Sequence, residues 1–128
     1  MEDKLENMDI SKYKKYWTEQ FKISERARIL RYHRAVKIAY KIARFIYGKY
    51  NVDRVYLFGS ILRQDGFRLD SDIDIAALGL PGELLLKVHG EISSIGLPFK
   101  IDFVRIEDCK DYLASRIIKG GKLIEKQE

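Results

Sequence analysis

Apolar residues recur along this chain at two spacings, and the change from one to the other divides it. In the N-terminal part they fall three and four residues apart. Ile10, Tyr13, Trp17 and Phe21 define one face of a short helix. Lys12, Lys14 and Lys15 occupy its other faces. An aromatic face has to cover something, either its own domain or a partner, because Trp and Tyr are favoured in interface cores. Ser24 is a good N-cap and predicts a second, longer helix over residues 25–49. Its inner face is Ala35, Ile38, Ala39, Ile42, Phe45 and Ile46. Arg34, Lys37, Lys41 and Arg44 form a basic stripe on the opposite side. Gly48 and Asn51 favour a stop. Residues 1–9 are polar and charged, so a frayed end is expected there. Residues 1–23 thus read as a helical extension and residues 24–128 as the domain proper.

Past residue 52 the apolar runs shorten and alternate. Strands are predicted over 55–58, 72–78 and 99–106. A helical turn over 60–64 and a turn at Asp65-Gly66 separate the first two. Pro81-Gly82 breaks the chain, and residues 83–95 then read as a helix with Leu84, Leu85, Val88 and Ile92 inward. Gly96 and Pro98 end it. A last helix is predicted over 108–119, with Tyr112, Leu113 and Ile117 inward, and Leu123 and Ile124 return to the core.

Acids inside apolar strands are the informative exceptions. Asp72 and Asp74 are separated by one residue, so on a strand they share a face, about 7 Å apart. Ile73, Ile75 and Ala77 take the other face. Asp102 likewise lies opposite Ile101 and Phe103. Asp is disfavoured in strands and seldom buried without a partner. Like charges repel, and each costs free energy to desolvate. A hard divalent cation such as Mg²⁺ removes the repulsion and leaves room for phosphates. Two such ions form the clamp used in in-line phosphoryl chemistry. Gly59-Ser60 ends the first strand. Gly permits a tight turn and close approach of a phosphate, and Ser60 adds a hydroxyl where a helix could begin. Arg63 and Arg68 flank the same side and could offset triphosphate charge.

Gly59-Ser60, a loop, Asp72-x-Asp74 and then Asp102 within Ile101-Asp102-Phe103-Val104 resemble the signature of the polymerase-β-like nucleotidyltransferases. The short chain most resembles their minimal nucleotidyltransferase (MNT) subgroup, over roughly residues 34–119. One departure is the loop between Ser60 and Asp72, whose eleven residues exceed the usual pattern by one. The resemblance implies an α+β (α/β) nucleotidyltransferase fold, a small mixed sheet with helices packed on it, and the periodicity puts the two N-terminal helices ahead of it. It implies that Asp72, Asp74 and Asp102 are catalytic and hold two Mg²⁺ ions. Gly59, Ser60 and Arg63 would bind the nucleotide. The implied reaction transfers AMP from ATP to a hydroxyl, a tyrosine of a HEPN-type toxin, which would make the chain an antitoxin. Two alternatives stay open: a small-molecule nucleotidyltransferase of the aminoglycoside type, and a non-catalytic module that neutralises a partner by contact. Arg28 and His33 match the Arg-x4-His core of HEPN ribonucleases, but those domains are all-helical and this chain is not. His33 and His89 read as helix-surface residues.

Bulk properties narrow the setting. At 128 residues the chain is long enough for one domain with a real core. Its one cysteine, Cys109, excludes an internal disulfide and agrees with a cytoplasmic protein. No apolar run approaches the ~20 residues that span a bilayer, and the polar N-terminus does not read as a signal peptide. The net charge of +5 is uneven. Residues 1–50 hold 13 Lys/Arg against 6 Asp/Glu, a net of +7; residues 51–128 hold 11 against 13, a net of −2. Such asymmetry fits a solvated helix face, nucleic acid or an acidic partner. Nucleic acid is the reading not expected here, and self-association is left open.

Overall fold

The computed structural model describes residues 10–127. The expected frayed end, 1–9, lies outside the described residues. Helix α1 runs Ile10–Lys49 without interruption. One helix thus stands where the sequence pattern suggested two. Ser24 lies in its middle and caps nothing. The reason is local: no Gly or Pro occurs between Ile10 and Tyr47, so nothing outweighs propagation of a helix already formed.

A four-stranded sheet follows, built from β1 (Arg54–Phe58), β2 (Ile73–Leu78), β3 (Ile101–Arg105) and β4 (Lys122–Ile124). Its order is β3-β2-β1-β4. β2 and β3 are parallel, and β1 is antiparallel to both β2 and β4. The mixed α/β architecture is therefore the expected one. Parallel neighbours need a crossover, and α2 (Leu85–Gly96) supplies it between β2 and β3. Helix α3 (Asp111–Gly120) leads into β4. With only three residues, β4 is too short for a periodic signal, yet it pairs with β1 from Val55 to Leu57.

Alternation divides the sheet into two faces. Val55, Leu57, Ile73, Ile75, Ala77, Ile101 and Phe103 form the main core with Ala35, Ala39, Ile42 and Ile46 of α1 and with Val88 and Ile92 of α2. Tyr47 closes that core at the β1–β4 end. Its buried hydroxyl donates to the Ile124 carbonyl at 2.7 Å and accepts from the Val55 N–H at 2.8 Å. On the other face, Tyr56 and Ala76 pack against Ile117 of α3, with Leu113 partly buried. Tyr112, expected inward, is 67% exposed. Helix α3 is covered mainly along its later turns, and the pattern of a short amphipathic helix does not say how far its support extends.

The first turns of α1 have no such support. Trp17 is 53% and Phe21 67% exposed, with Ile10, Tyr13, Tyr16 and Ile23 exposed as well. Among the described residues the aromatic face is thus left largely exposed and is not packed on the sheet. Among the described residues no helix is long and apolar enough to cross a membrane.

The long connection between β1 and β2 is anchored to α1. Phe67 is fully buried, with edge contacts to Tyr32 of α1 and a tilted contact to Phe99. Arg28 donates to the carbonyls of Gln64 and, at 3.0 Å, Phe67, and pairs with Glu25. So Arg28 tethers a loop, and its spacing to His33 is incidental. His33 is exposed beside Tyr32. Phe67→Ala is expected to cost about 3–5 kcal/mol, as for other large core deletions. Urea unfolding followed by circular dichroism measures it, and a change below about 1 kcal/mol would mean that Phe67 does not anchor the loop.

Candidate active site

The three acids converge at one end of the sheet. β2 and β3 pair with Asp74 directly opposite Asp102, so their Cα atoms sit about 5 Å apart. Asp72 lies just before β2, in the same alternating set. Its carboxylate is 4.0 Å from the Lys100 ammonium. β3 is an edge strand, and Asp102 is exposed, whereas Asp72 and Asp74 are half-buried. All three stand on the α3 side, beyond the patch that α3 covers.

Asp74 occupies the tightest position. Phe58 opposes it on β1, and Gly59 follows at once. Gly59 has φ +77°, and a Cβ placed there would come within 2.1 Å of Asp74 Oδ2. Only glycine adopts this backbone without strain and leaves space for the carboxylate. Burial pushes the Asp74 carboxyl up to about 6, with the Asp102 charge, a hydrogen bond to Asp102 and the Asp72 charge adding to the shift.

The expected helical turn is shorter than the sequence suggests. Residues Gly59–Leu62 form a single 3-10 turn, and a second one covers Gln64–Gly66. Four residues carry little dipole. What the turn offers an anion is its free opening N–H groups and the Ser60 hydroxyl, which no hydrogen bond engages among the described residues. Arg63 is exposed and pairs with its near neighbour Asp65 at 3.1 Å, a surface pair that an anion can exchange. His89 bonds the Ile101 carbonyl through Nε2 and stands apart from the acids in role.

Beside Gly59 opens a cleft of about 530 Å³, walled by Phe58, Leu62 and the second half of α3, including Arg116 and Lys119. Gly59 thus touches both the Asp74 carboxylate and the cleft. Neither cation was singled out from sequence. The available signal was their three-residue spacing just ahead of Gly120-Gly121, which places both on one side of α3.

The acids also bear on metal binding. Among the described residues no set of three His, Cys, Asp or Glu side chains forms a ready-made metal cage. Mg²⁺ does not require one, since it commonly takes one or two carboxylates together with waters and substrate phosphates. The facing pair Asp74 and Asp102, with Asp72 beside them, fits that demand. Burial first, and then the neighbouring Asp102 and Asp72 charges, disfavour ionised Asp74, and a bound cation would offset both.

Residues 40–128 match the family described as polymerase beta, nucleotidyltransferase, and the chain belongs to that family. It is a nucleotidyltransferase. No curated relative matches it. Solved structures share the fold. The toxin–antitoxin complex MntA–HepT aligns with TM-score 0.53 at 22% identity, over 70% of this chain and 71% of the other. A tri-AMPylated HEPN toxin of Shewanella oneidensis in complex with its MNT antitoxin aligns with TM-score 0.55 at 23% identity, over 73% of each chain. A toxin–antitoxin structure with AMP-PNP gives TM-score 0.54 at 22% identity, over 76% and 74%.

The raised Asp74 carboxyl has a consequence for stability. An unfolded Asp loses its proton near pH 3.9, whereas folded Asp74 holds it to about 6. This contribution is complete below pH ~4 and is lost as pH rises through about 6. Without Mg²⁺, Asp74→Asn should therefore gain stability on the native protein across that window and hold a constant lead above it. Urea denaturation of both proteins from pH 4 to 7 reads the difference. A lead that does not change with pH would show that Asp74 ionises normally.

Proposed function

We propose that this protein transfers AMP from ATP to a tyrosine hydroxyl of a HEPN-type partner and acts as its antitoxin. The observation that carries the reading is the in-register pair Asp74 and Asp102 beside Gly59-Ser60. Family membership supports the reaction class, and the AMPylated HEPN complex of a structural relative supports the acceptor. Asp72, Asp74 and Asp102 would hold Mg²⁺. Bound there, Mg²⁺ supplies charge neutralisation for the phosphates and makes the acceptor hydroxyl more acidic.

The chain's own groups do the rest. The N–H groups of the turn and the Ser60 hydroxyl seat the outer phosphates. Arg116 and Lys119 face the adjoining cleft, where further phosphate charge is offset. Asp102, the exposed acid of the pair, takes the proton from the acceptor. The acceptor oxygen bonds to the α-phosphorus, and the bond from that phosphorus to the bridging oxygen breaks, releasing pyrophosphate. A phenol, with pKa near 10, gives up its proton more readily than Ser or Thr hydroxyls, which suits Tyr to a carboxylate base. The rate gain comes mainly from positioning and charge.

The test is intact-mass spectrometry of a co-encoded HEPN partner incubated with the protein, ATP and Mg²⁺. One or more AMP additions are expected. Asp102→Ala should slow transfer by on the order of 10²-fold or more while calorimetry still detects ATP binding. Asp72→Asn with Asp74→Asn should remove the Mg²⁺ dependence of ATP binding and leave the fold intact. No mass shift on the partner would end the antitoxin reading. Turnover of an aminoglycoside in its place would establish small-molecule transfer.

A further inference from the structure

At the same end of the sheet as the acids, but against α1, lies a groove of about 510 Å³. Its floor is apolar: Leu30 of α1, Leu69 ahead of β2 and Phe99 ahead of β3. Its rim is cationic: Arg31, Arg34 and Lys37. No acid lines it. Among the described residues Arg34 and Lys37 make no ion pair, and Arg31 makes none either. The Arg31 guanidinium stacks over the Phe99 ring at 4.3 Å and reaches the Ser71 carbonyl only at 3.5 Å. Its Nε is buried with no hydrogen-bond partner. A rim of three cations with no acid paired to them favours a carboxylate-bearing occupant.

The groove also lies within reach of the chemistry. Phe99 stands three residues before Asp102, and Leu69 three before Asp72. Extended chain rises about 3.3 Å per residue, which puts Phe99 on the order of 10 Å along the chain from Asp102, on the opposite face of the sheet. The turn closed by the Ser71 N–H on the Arg68 carbonyl holds Leu69 close to Asp72. Nucleic acid fits less well. Single strands bind through stacking on open rings, and Phe99 is 3% exposed with Arg31 over it. Leu30 and Leu69, each about half exposed, instead offer a seat for an aliphatic or aromatic side chain.

We propose that this groove docks an acidic segment of the acceptor protein. One apolar side chain of the segment rests on Leu30 and Leu69, and flanking carboxylates meet Arg31, Arg34 and Lys37. A hydroxyl further along the segment then passes around the end of the sheet to the acids. The inference rests on the transferase reading above and supplies its recognition element.

The probe is a fluorescein-labelled synthetic peptide in which Asp and Glu flank one Leu and a Tyr follows. Binding is read by polarisation without ATP, so its outcome does not depend on whether AMP transfer occurs. The full-length protein is expected to bind this peptide at least tenfold more tightly than the same peptide with Asn and Gln in place of the acids. Arg34→Glu with Lys37→Glu should weaken binding at least tenfold, and Leu69→Ser should weaken it too, with ATP binding unchanged in both. If charge reversal disturbs folding, the milder Arg34→Gln, Lys37→Gln pair should give the same direction. Equal affinity for the acidic and amide peptides, or no response to these substitutions, would overturn the proposal. So would binding of a single-stranded RNA oligonucleotide that the double variant loses, which would assign the groove to nucleic acid. Loss of AMP transfer with peptide binding intact would refute only the transferase reading.

Discussion

Asp74 and Asp102 lie side by side because β2 and β3 run parallel and in register. Nothing about a half-buried carboxylate beside an exposed one favours that arrangement by itself, and their repulsion opposes it. The opposite face enforces it. Ile73 and Ile75 alternate with Asp74, and Ile101 and Phe103 alternate with Asp102, and all four apolar side chains are buried under α1 and α2. A slip of one residue in either strand would bury the acid and expose its apolar neighbours. Register, and with it the meeting of the acids, is thus held by hydrophobic burial on the far side of the sheet. Gly59 completes the arrangement by leaving the volume into which the Asp74 carboxylate projects.

The segment between Gly59 and Asp72 is held with similar firmness. Its aromatic side chain, Phe67, is fully buried, Ile61 is buried with it, and Arg28 and Arg31 reach carbonyls at three points along the segment. Its extra residue relative to the usual pattern therefore does not leave the ends free. Helix α1 serves this segment as much as it serves the sheet: residues 35–47 cover strands, and residues 28–32 fasten the loop.

The acids were legible in the sequence because Asp74 and Asp102 interrupt apolar strands and Asp72 stands at the entry of one, and an acid placed in such a run costs free energy unless it is used. Gly59 was legible because a glycine ends a strand just ahead of them. The core face of α1 was legible for the same reason of periodicity, down to Ala35, Ala39, Ile42 and Ile46. Other features were not. Ser24 carries a strong cap preference, but capping needs a non-helical residue before it, and no local signal breaks α1 there. β4 is too short for its pattern to register. Arg28 and Arg31 act through loop carbonyls more than thirty residues away, which no local spacing encodes. The short turn after Gly59 weakened the dipole argument for Ser60, since propensity indicates that a turn forms but not how long it runs.

The exposed N-terminal turns of α1 pose a thermodynamic question of their own. A free peptide of that length is a marginal helix in water, because its first turn must form against unfavourable odds. Here that step has already been taken: the covered turns around Ala35–Ala39 are fixed by the sheet, and each added turn only extends them. The core of the domain thereby acts at a distance, as a template for structure it does not touch. Tyr13, Trp17 and Phe21 are consequently displayed in helical order while still facing water. Any surface that meets them gains apolar contact without first having to order the chain that carries it.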